Sequence, residues 1–172
     1  MAKHRTAELV VSVADLLPHP GATKRIEREA VLDPLAVSGS AVPADAPLRV
    51  EVELQAVNDG IVAVGTVRAP WAGECRRCLR LATGEVVGEV REVFEREPVE
   101  GETRLLDGVE VDLTDVARDA VLLELPLAPL CRDDCAGLCP QCGADRNETA
   151  CDCVSDTKDP RWAALEQITF DE

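Results

Sequence analysis

Eight cysteines place the tightest constraint on how this chain can fold. They fall into four close pairs: Cys75-x2-Cys78, Cys131-x3-Cys135, Cys139-x2-Cys142 and Cys151-x-Cys153. Four pairs make two tetrahedral sites, because Zn2+ takes four thiolates and a closely spaced pair supplies two corners. The clearest half-site is Cys139-Pro140-Gln141-Cys142-Gly143. There Gly143 lets the backbone turn beneath a metal and aim N–H groups at sulfur. The pair Cys151-Asp152-Cys153 must sit in a turn, since residues i and i+2 of a strand lie about 6.5–7 Å apart.

Three pairings of the four half-sites are open. The segment Gly143 to Glu148 is short and polar, long enough for a tight loop, so Cys139, Cys142, Cys151 and Cys153 are placed on one metal. That leaves Cys75 and Cys78 with Cys131 and Cys135, a long-range closure tying a hairpin tip to the segment after a helix. The expectation is two Zn2+ ions. Disulfides are disfavoured in a reducing cytosol. An iron–sulfur cluster also uses four cysteines, and two free thiols at a turn are a further alternative for Cys75 and Cys78. A closed four-sulfur site has no open coordination position, so it argues for structure rather than metal catalysis. The tail after Leu130 has few apolar residues, and a structural zinc contributes about 10 kcal/mol to folding in small peptides.

At 172 residues and 46% hydrophobic, the chain can bury a core. The expected fold class is α+β: an antiparallel, β-rich body with one central helix and a C-terminal, cysteine-rich, zinc-binding segment. The expected division is residues 1–130 as the β-rich domain with the CxxC at a hairpin tip, and residues 131–172 as the metal-binding segment with a short final helix. Apolar runs are far shorter than the roughly 18–20 residues of a membrane span. The start, Met1-Ala2-Lys3-His4-Arg5, is basic, but Asp15 interrupts the apolar stretch after it, so no secretory segment is read and a cytoplasmic location is expected.

Alternation carries the fold reading. Leu9 to Val13 is a strand candidate, and Pro18-His19-Pro20-Gly21 a turn. Leu48, Val50, Val52 and Leu54 alternate with Arg49, Glu51 and Glu53, a strand with one wet face. Asn58-Asp59-Gly60 predicts a hairpin turn, with Gly60 supplying a positive φ. Ile61 to Val67 is the returning strand, and Val86 to Phe94 another, which puts Cys75 and Cys78 at the tip of a second hairpin. Residues 95–108 read as an acidic loop, and Val109, Val111 and Leu113 alternate again. Leu113, Val116, Ala117, Ala120 and Val121 then form one helical stripe, capped by Asp112 or Thr114 and stopped by Pro126. Asp159-Pro160-Arg161-Trp162 opens the final helix.

The net charge of −15 weighs against sequence-blind clamping of a nucleic-acid backbone, so any such contact must be local. Residues 68–80 are the local exception, with Arg68, Arg76, Arg77 and Arg80 against Glu74 alone. Arg76, Arg77 and Arg80 are therefore candidate contacts to RNA or a partner. Equally, they serve to offset the thiolate charge beside them. No GxSxG, HExxH, Walker or GxGxxG pattern is present, and the two histidines, His4 and His19, have no spaced partner. The expectation is a protein that is not an enzyme, with no small-molecule substrate and no membrane partner.

Four stretches occur in a telling order: Glu74-Cys75-Arg76-Arg77-Cys78-Leu79, Leu125-Pro126-Leu127-Ala128-Pro129-Leu130-Cys131, Gly137-Leu138-Cys139-Pro140-Gln141-Cys142-Gly143 and Asp159-Pro160-Arg161-Trp162. Over residues 50–168 the chain resembles the YceD family, the large ribosomal RNA subunit accumulation proteins. The resemblance implies a bacterial or plastid-type cytosolic ribosome biogenesis factor without established enzyme activity, needed for normal levels of large-subunit (23S) rRNA. Its implied partner is a large-subunit rRNA precursor or a ribosomal protein, and the acidity of the chain favours a basic protein. A thiol- or zinc-responsive regulator is the alternative, resting on Arg76 and Arg77 beside Cys75 and Cys78.

Overall fold

The computed structural model describes residues 6–32 and 34–153. The final helix expected at Asp159-Pro160-Arg161-Trp162 lies outside them. The described residues form a sheet-rich α+β fold with one α-helix. The strands are β1 (Val10–Ser12), β2 (Thr23–Ala30), β3 (Ser40–Ala41), β4 (Leu48–Val57), β5 (Gly60–Glu74), β6 (Leu81–Glu95), β7 (Arg104–Leu105) and β8 (Glu110–Asp112); the helix is α1 (Thr114–Glu124).

The main sheet runs β2-β4-β5-β6-β7, and β3 pairs with the far end of β5. Its ladders are antiparallel except for the short parallel pairing of Phe94 and Glu95 with Arg104 and Leu105. Strands β1 and β8 form a separate two-stranded ribbon, with Val11 opposite Val111. Val11 and Val111 of this ribbon, with Leu9, Val13 and Leu113 just beyond its strands, feed the same core as the main sheet. That core holds Val50, Val52 and Leu54 of β4, Ala63 and Val67 of β5, and Val90 and Phe94 of β6. One face of β4 is buried, and Arg49, Glu53 and Gln55 keep the other in water, as period-two patterning requires.

Helix α1 closes the core over β5 and β6, burying Val116, Ala117, Ala120 and Val121. Its N-cap is Leu113, with no capping side chain, so neither Asp112 nor Thr114 is the expected cap; Asp112, just ahead of it, still accepts the Thr114 N–H through Oδ1 at 2.9 Å. The helix rests directly on the strand backbone at Gly88, where an added Cβ would stand 2.3 Å from the Ala120 carbonyl oxygen. Arg104 ties β7 to its neighbours: Nη2 lies 2.9 Å from Asp119 of α1, and Nε lies 3.0 Å from Glu92 Oε2 of β6 without the alignment of a hydrogen bond.

The structure differs from the sequence expectations at four places. Residues 23–30, for which the sequence predicts no element, are strand β2. An edge strand here buries only Ile26 and Ala30, so charges occupy both of its faces and no alternation shows. The second hairpin is longer than its apolar runs, 15 residues in each strand, because the outer half of the arm is held by cross-strand pairing more than by burial. The 95–108 segment is not all loop, since Arg104–Leu105 adds β7. Gly60 turns the first hairpin for a different reason from the one expected. Its φ is not positive; instead a Cβ there would meet the Phe94 carbonyl oxygen at 2.1 Å, so only glycine allows β6 to approach.

Two candidate metal centres

The tip of the long β5–β6 hairpin is a knuckle. Cys75 N–H donates to the Arg80 carbonyl at 2.8 Å, and Leu79 N–H donates to the Cys75 carbonyl at 2.9 Å. The loop is tight enough to turn Cys75 and Cys78 to the same side. Pro126 ends α1, and the chain then runs back to this tip, where Arg76 N–H donates to the Pro129 carbonyl at 2.9 Å. That run delivers Cys131 and Cys135. The Sγ atoms of Cys75, Cys78, Cys131 and Cys135 all lie within 4.8 Å of one another. This is the inner tetrad, with Cys75, Cys78 and Cys135 buried beside Ala82, Leu130, Leu138 and Trp71.

A second knuckle follows at once. Cys139 N–H donates to the Ala144 carbonyl at 2.8 Å and Gly143 N–H to the Cys139 carbonyl at 2.9 Å. The Sγ atoms of Cys139, Cys142, Cys151 and Cys153 also lie within 4.8 Å of one another. In this outer tetrad Cys139 is buried, Cys151 half-buried, and Cys142 and Cys153 exposed. Cys151 and Cys153 lie outside any strand, and the Cys153 N–H donates to the Cys151 sulfur.

The donor set fits a tetrahedral thiophilic cation. Four sulfurs about 2.3 Å from a zinc ion stand about 3.8 Å apart along each edge. Cys75 and Cys135 are 3.8 Å apart, and Cys78 and Cys131 are 3.5 Å apart. A disulfide needs about 2.05 Å, and all eight cysteines are free. Backbone N–H groups point at the sulfurs, as they do around thiolate carrying negative charge. Burial pushes the Cys75 thiol up, but the N–H groups of Cys131, Cys78 and Arg77 more than offset this and bring it to about 6. The N–H groups of Cys142 and Gln141 likewise hold Cys139 at about 6. Cys131, facing Cys78, is pushed up to about 12, and so is Cys153, facing Cys142 and Cys139. Each tetrad thus sets thiols that ionise readily, Cys75 and Cys135 in the inner and Cys139 in the outer, against thiols held back beside them, Cys78 and Cys131 in the inner and Cys151 and Cys153 in the outer. A divalent cation at the centre removes that conflict. The two tetrads could therefore each hold a metal ion.

The candidate arginines do not act alike. Arg80 pairs with Asp145 at 2.8 Å and with Glu148, both in the loop that closes the outer tetrad. Arg77 Nη1 donates to the carbonyls of Cys135 at 2.9 Å and Asp133 at 3.2 Å. The Arg76 guanidinium has no hydrogen bond or ion pair with the described residues, and its side chain is exposed. Sequence reasoning missed Asn147, which bonds to groups of the inner tetrad, and its acceptor Asp145. The polarity of the 143–148 loop was the available signal, but polarity alone does not name an acceptor. It also missed Leu79, whose place after Cys78 matches that of Gly143 after Cys142.

Residues 63–169 match the model of the family described as large ribosomal RNA subunit accumulation protein YceD. The chain belongs to the YceD family. The matched span holds all eight cysteines, from the first knuckle to the outer tetrad. An uncharacterised protein of Mycobacterium tuberculosis is 33% identical over 96% of this chain and 84% of its own length. One from Mycobacterium leprae is 30% identical over 95% of this chain and 78% of its own. A shorter match, 38% identical over 33% of this YceD chain and 17% of the relative, is to the chloroplastic large ribosomal RNA subunit accumulation protein YCED homolog 1 of Arabidopsis thaliana. No solved structure matches the chain. No helix among the described residues is long and apolar enough to cross a membrane.

Proposed function

We propose that this YceD-family protein is a non-enzymatic, cytoplasmic ribosome biogenesis factor that supports accumulation of the large-subunit (23S) rRNA. In this reading each tetrad holds a Zn2+ ion: Cys75, Cys78, Cys131 and Cys135 the inner, and Cys139, Cys142, Cys151 and Cys153 the outer. Zinc bound by four thiolates crosslinks chain segments and does no chemistry on a substrate. Its work is to hold the 131–153 segment, which has little apolar surface of its own, against the hairpin tip. The result is a rigid, metal-stapled end on a β-sheet body.

The observation that supports this best is the pairing of family with geometry. The matched span covers both tetrads, and the sulfur spacing of the inner one is that of a tetrahedral thiolate site. For the partner, the acidity of the chain favours a basic ribosomal protein over bare RNA. A charge of −15 speeds encounter with a basic surface and slows approach to phosphates. Internal use of Arg77 and Arg80 points the same way, since it leaves Arg76 as the knuckle arginine open to a phosphate. Affinity capture of the tagged protein from lysate tests this. Recovery of large-subunit precursor particles is the expected result, and recovery of ribosome-free material only would overturn it.

The exposed Cys142 and Cys153 favour one other reading, a thiol- or zinc-responsive regulator. Counting alkylatable thiols on the metal-loaded protein separates the two. A scaffold shows none, whereas a regulator shows at least one fast-reacting sulfur.

A further inference from the structure

Asn147 belongs to the loop that closes the outer tetrad, yet its side chain serves the inner one. Its Nδ2 lies 3.4 Å from Cys135 Sγ and donates to it. Its Oδ1 accepts the Ala136 N–H at 2.8 Å and Arg132 Nη2 at 2.8 Å, and these two residues each follow an inner-tetrad cysteine. From its own loop the amide is aimed by Asp145, whose Oδ1 accepts Asn147 Nδ2 at 2.7 Å and the Asn147 backbone N–H at 2.8 Å. Asp145 is in turn fixed by Arg80, two residues beyond Cys78. The two hydrogens of the amide nitrogen are thus shared between one sulfur and one carboxylate, and nothing in the arrangement is spare.

The same loop is anchored at both ends by the outer tetrad, Cys142 on one side and Cys151 on the other. We infer that the two metal centres are coupled through Asn147: an ion in the outer tetrad holds the loop in place, and the loop hands Cys135 an N–H that steadies the inner centre. The inference rests on the reading that both tetrads hold metal. It makes Asn147 a positioning residue, acting through Cys135. Loss begins outside, because the outer tetrad has two exposed thiols and the inner has Cys131 alone. When the outer ion leaves and the loop swings away, the inner ion loses a hydrogen bond to one of its sulfurs and becomes easier to extract. Coupling is reciprocal, so an occupied inner centre favours closure of the outer one by the same factor.

The test is a double-mutant cycle on full-length, zinc-loaded protein. Elemental analysis first establishes two ions per chain. Cys142→Ser with Cys153→Ser then removes the outer centre, and a chromophoric chelator reports release of the inner ion. In a Trp162→Phe background, Trp71, packed beside the inner cluster, gives an independent fluorescence signal for that site. Removal of the outer centre is expected to speed inner release about tenfold, the low end of what an outer-shell partner contributes to metal affinity. Asn147→Ala is expected to speed it as much, and combining the two to add little. Asn147→Asp keeps the acceptor for Ala136 and Arg132 but loses the donors to sulfur and to Asp145 and sets a second carboxylate against both. With Asp145→Asn added, which relieves the clash between the two carboxylates, the variant is still expected to release the inner ion as fast as Asn147→Ala, whereas a residue that merely held the loop through its acceptor would then return to the parent rate. Cys142, Cys153, Asp145 and Asn147 lie outside the main core, so far-UV circular dichroism should show the sheet intact. Strictly additive rates with two ions bound overturn the coupling alone. Fewer than two ions in the parent protein overturns the metal reading, and the coupling with it.

Discussion

Leu79 and Gly143 occupy equivalent places in two knuckles of one design. Each follows the second cysteine of a CxxC pair, and each donates its N–H to the carbonyl of the first at 2.9 Å. Each holds a positive φ, +61° at Leu79 and +72° at Gly143. Among the described residues Leu79 is the only non-glycine with a positive φ, and its side chain is 61% exposed. A left-handed conformation costs an L-residue about 1–2 kcal/mol, a cost that glycine avoids. The first knuckle therefore adopts the turn under strain, and the second adopts it freely.

Leu79→Gly should accordingly be neutral or raise stability by up to about 1 kcal/mol, since relief of strain is partly offset by the greater freedom of glycine in the unfolded chain. Gly143→Ala should cost about 1 kcal/mol, and purely through backbone strain, because a Cβ there meets nothing within 4 Å. Thermal unfolding of the metal-loaded proteins measures both. A Leu79→Gly variant less stable than the parent by more than about 1 kcal/mol would show that the leucine side chain supports the fold.

Metal content should fall in steps set by the tetrads. Replacing Cys75 and Cys78 by serine removes one ion per chain, and replacing Cys139 and Cys142 removes one. Replacing all four leaves none. Quantitation by plasma emission on purified protein checks this. One ion retained when all four are replaced would mean that these two pairs share a single centre, against the sulfur grouping.

Gly88→Ala should loosen the seat of α1. Its Cβ would stand 2.3 Å from the Ala120 carbonyl oxygen, a backbone atom that cannot rotate aside. Overpacking of this kind costs about 1–3 kcal/mol. Urea unfolding should show a lower midpoint with an unchanged slope. An unchanged midpoint would show that the helix and sheet can part at no cost.

One acid-limb contribution to stability should trace to Asp15. Its carboxylate accepts Lys24 Nζ at 3.1 Å, and this bond holds its pKa below the ordinary 3.8. The folded value is depressed, so the stabilisation is fully present above 3.8 and fades as pH falls through the lower folded value. Asp15→Asn should remove that part of the pH dependence below about pH 4 and leave the neutral range nearly unchanged, because the pair is exposed and weak. A stability difference between variant and parent that stays constant from about pH 3 to about pH 7 would contradict it.

The chain itself marked its strands wherever one face is buried and the other wet, as in Leu48 to Leu54, and its helix from the stripe Leu113 to Val121. It hid β2 because an edge strand buries too little to impose a pattern, and it hid the outer half of the long hairpin because cross-strand hydrogen bonds leave no mark in side-chain polarity. Gly60 was recognised as a turn residue, but its reason, the close approach of Phe94, belongs to a strand more than thirty residues away.

The same division holds at the sulfurs. Local spacing decides that two cysteines can share a turn, because three or four residues of backbone determine where both side chains point. Sequence alone thus marks four half-sites and their chemistry. Which half-sites meet is settled by the length of the β5–β6 arm and by the stop that Pro126 puts on α1. Together these bring Cys131 and Cys135 to a knuckle 53 and 60 residues earlier in the chain. The hydrogen bond from Asn147 to Cys135 is a further step removed: it exists only after both knuckles have formed and packed together, so no short-range pattern announces it.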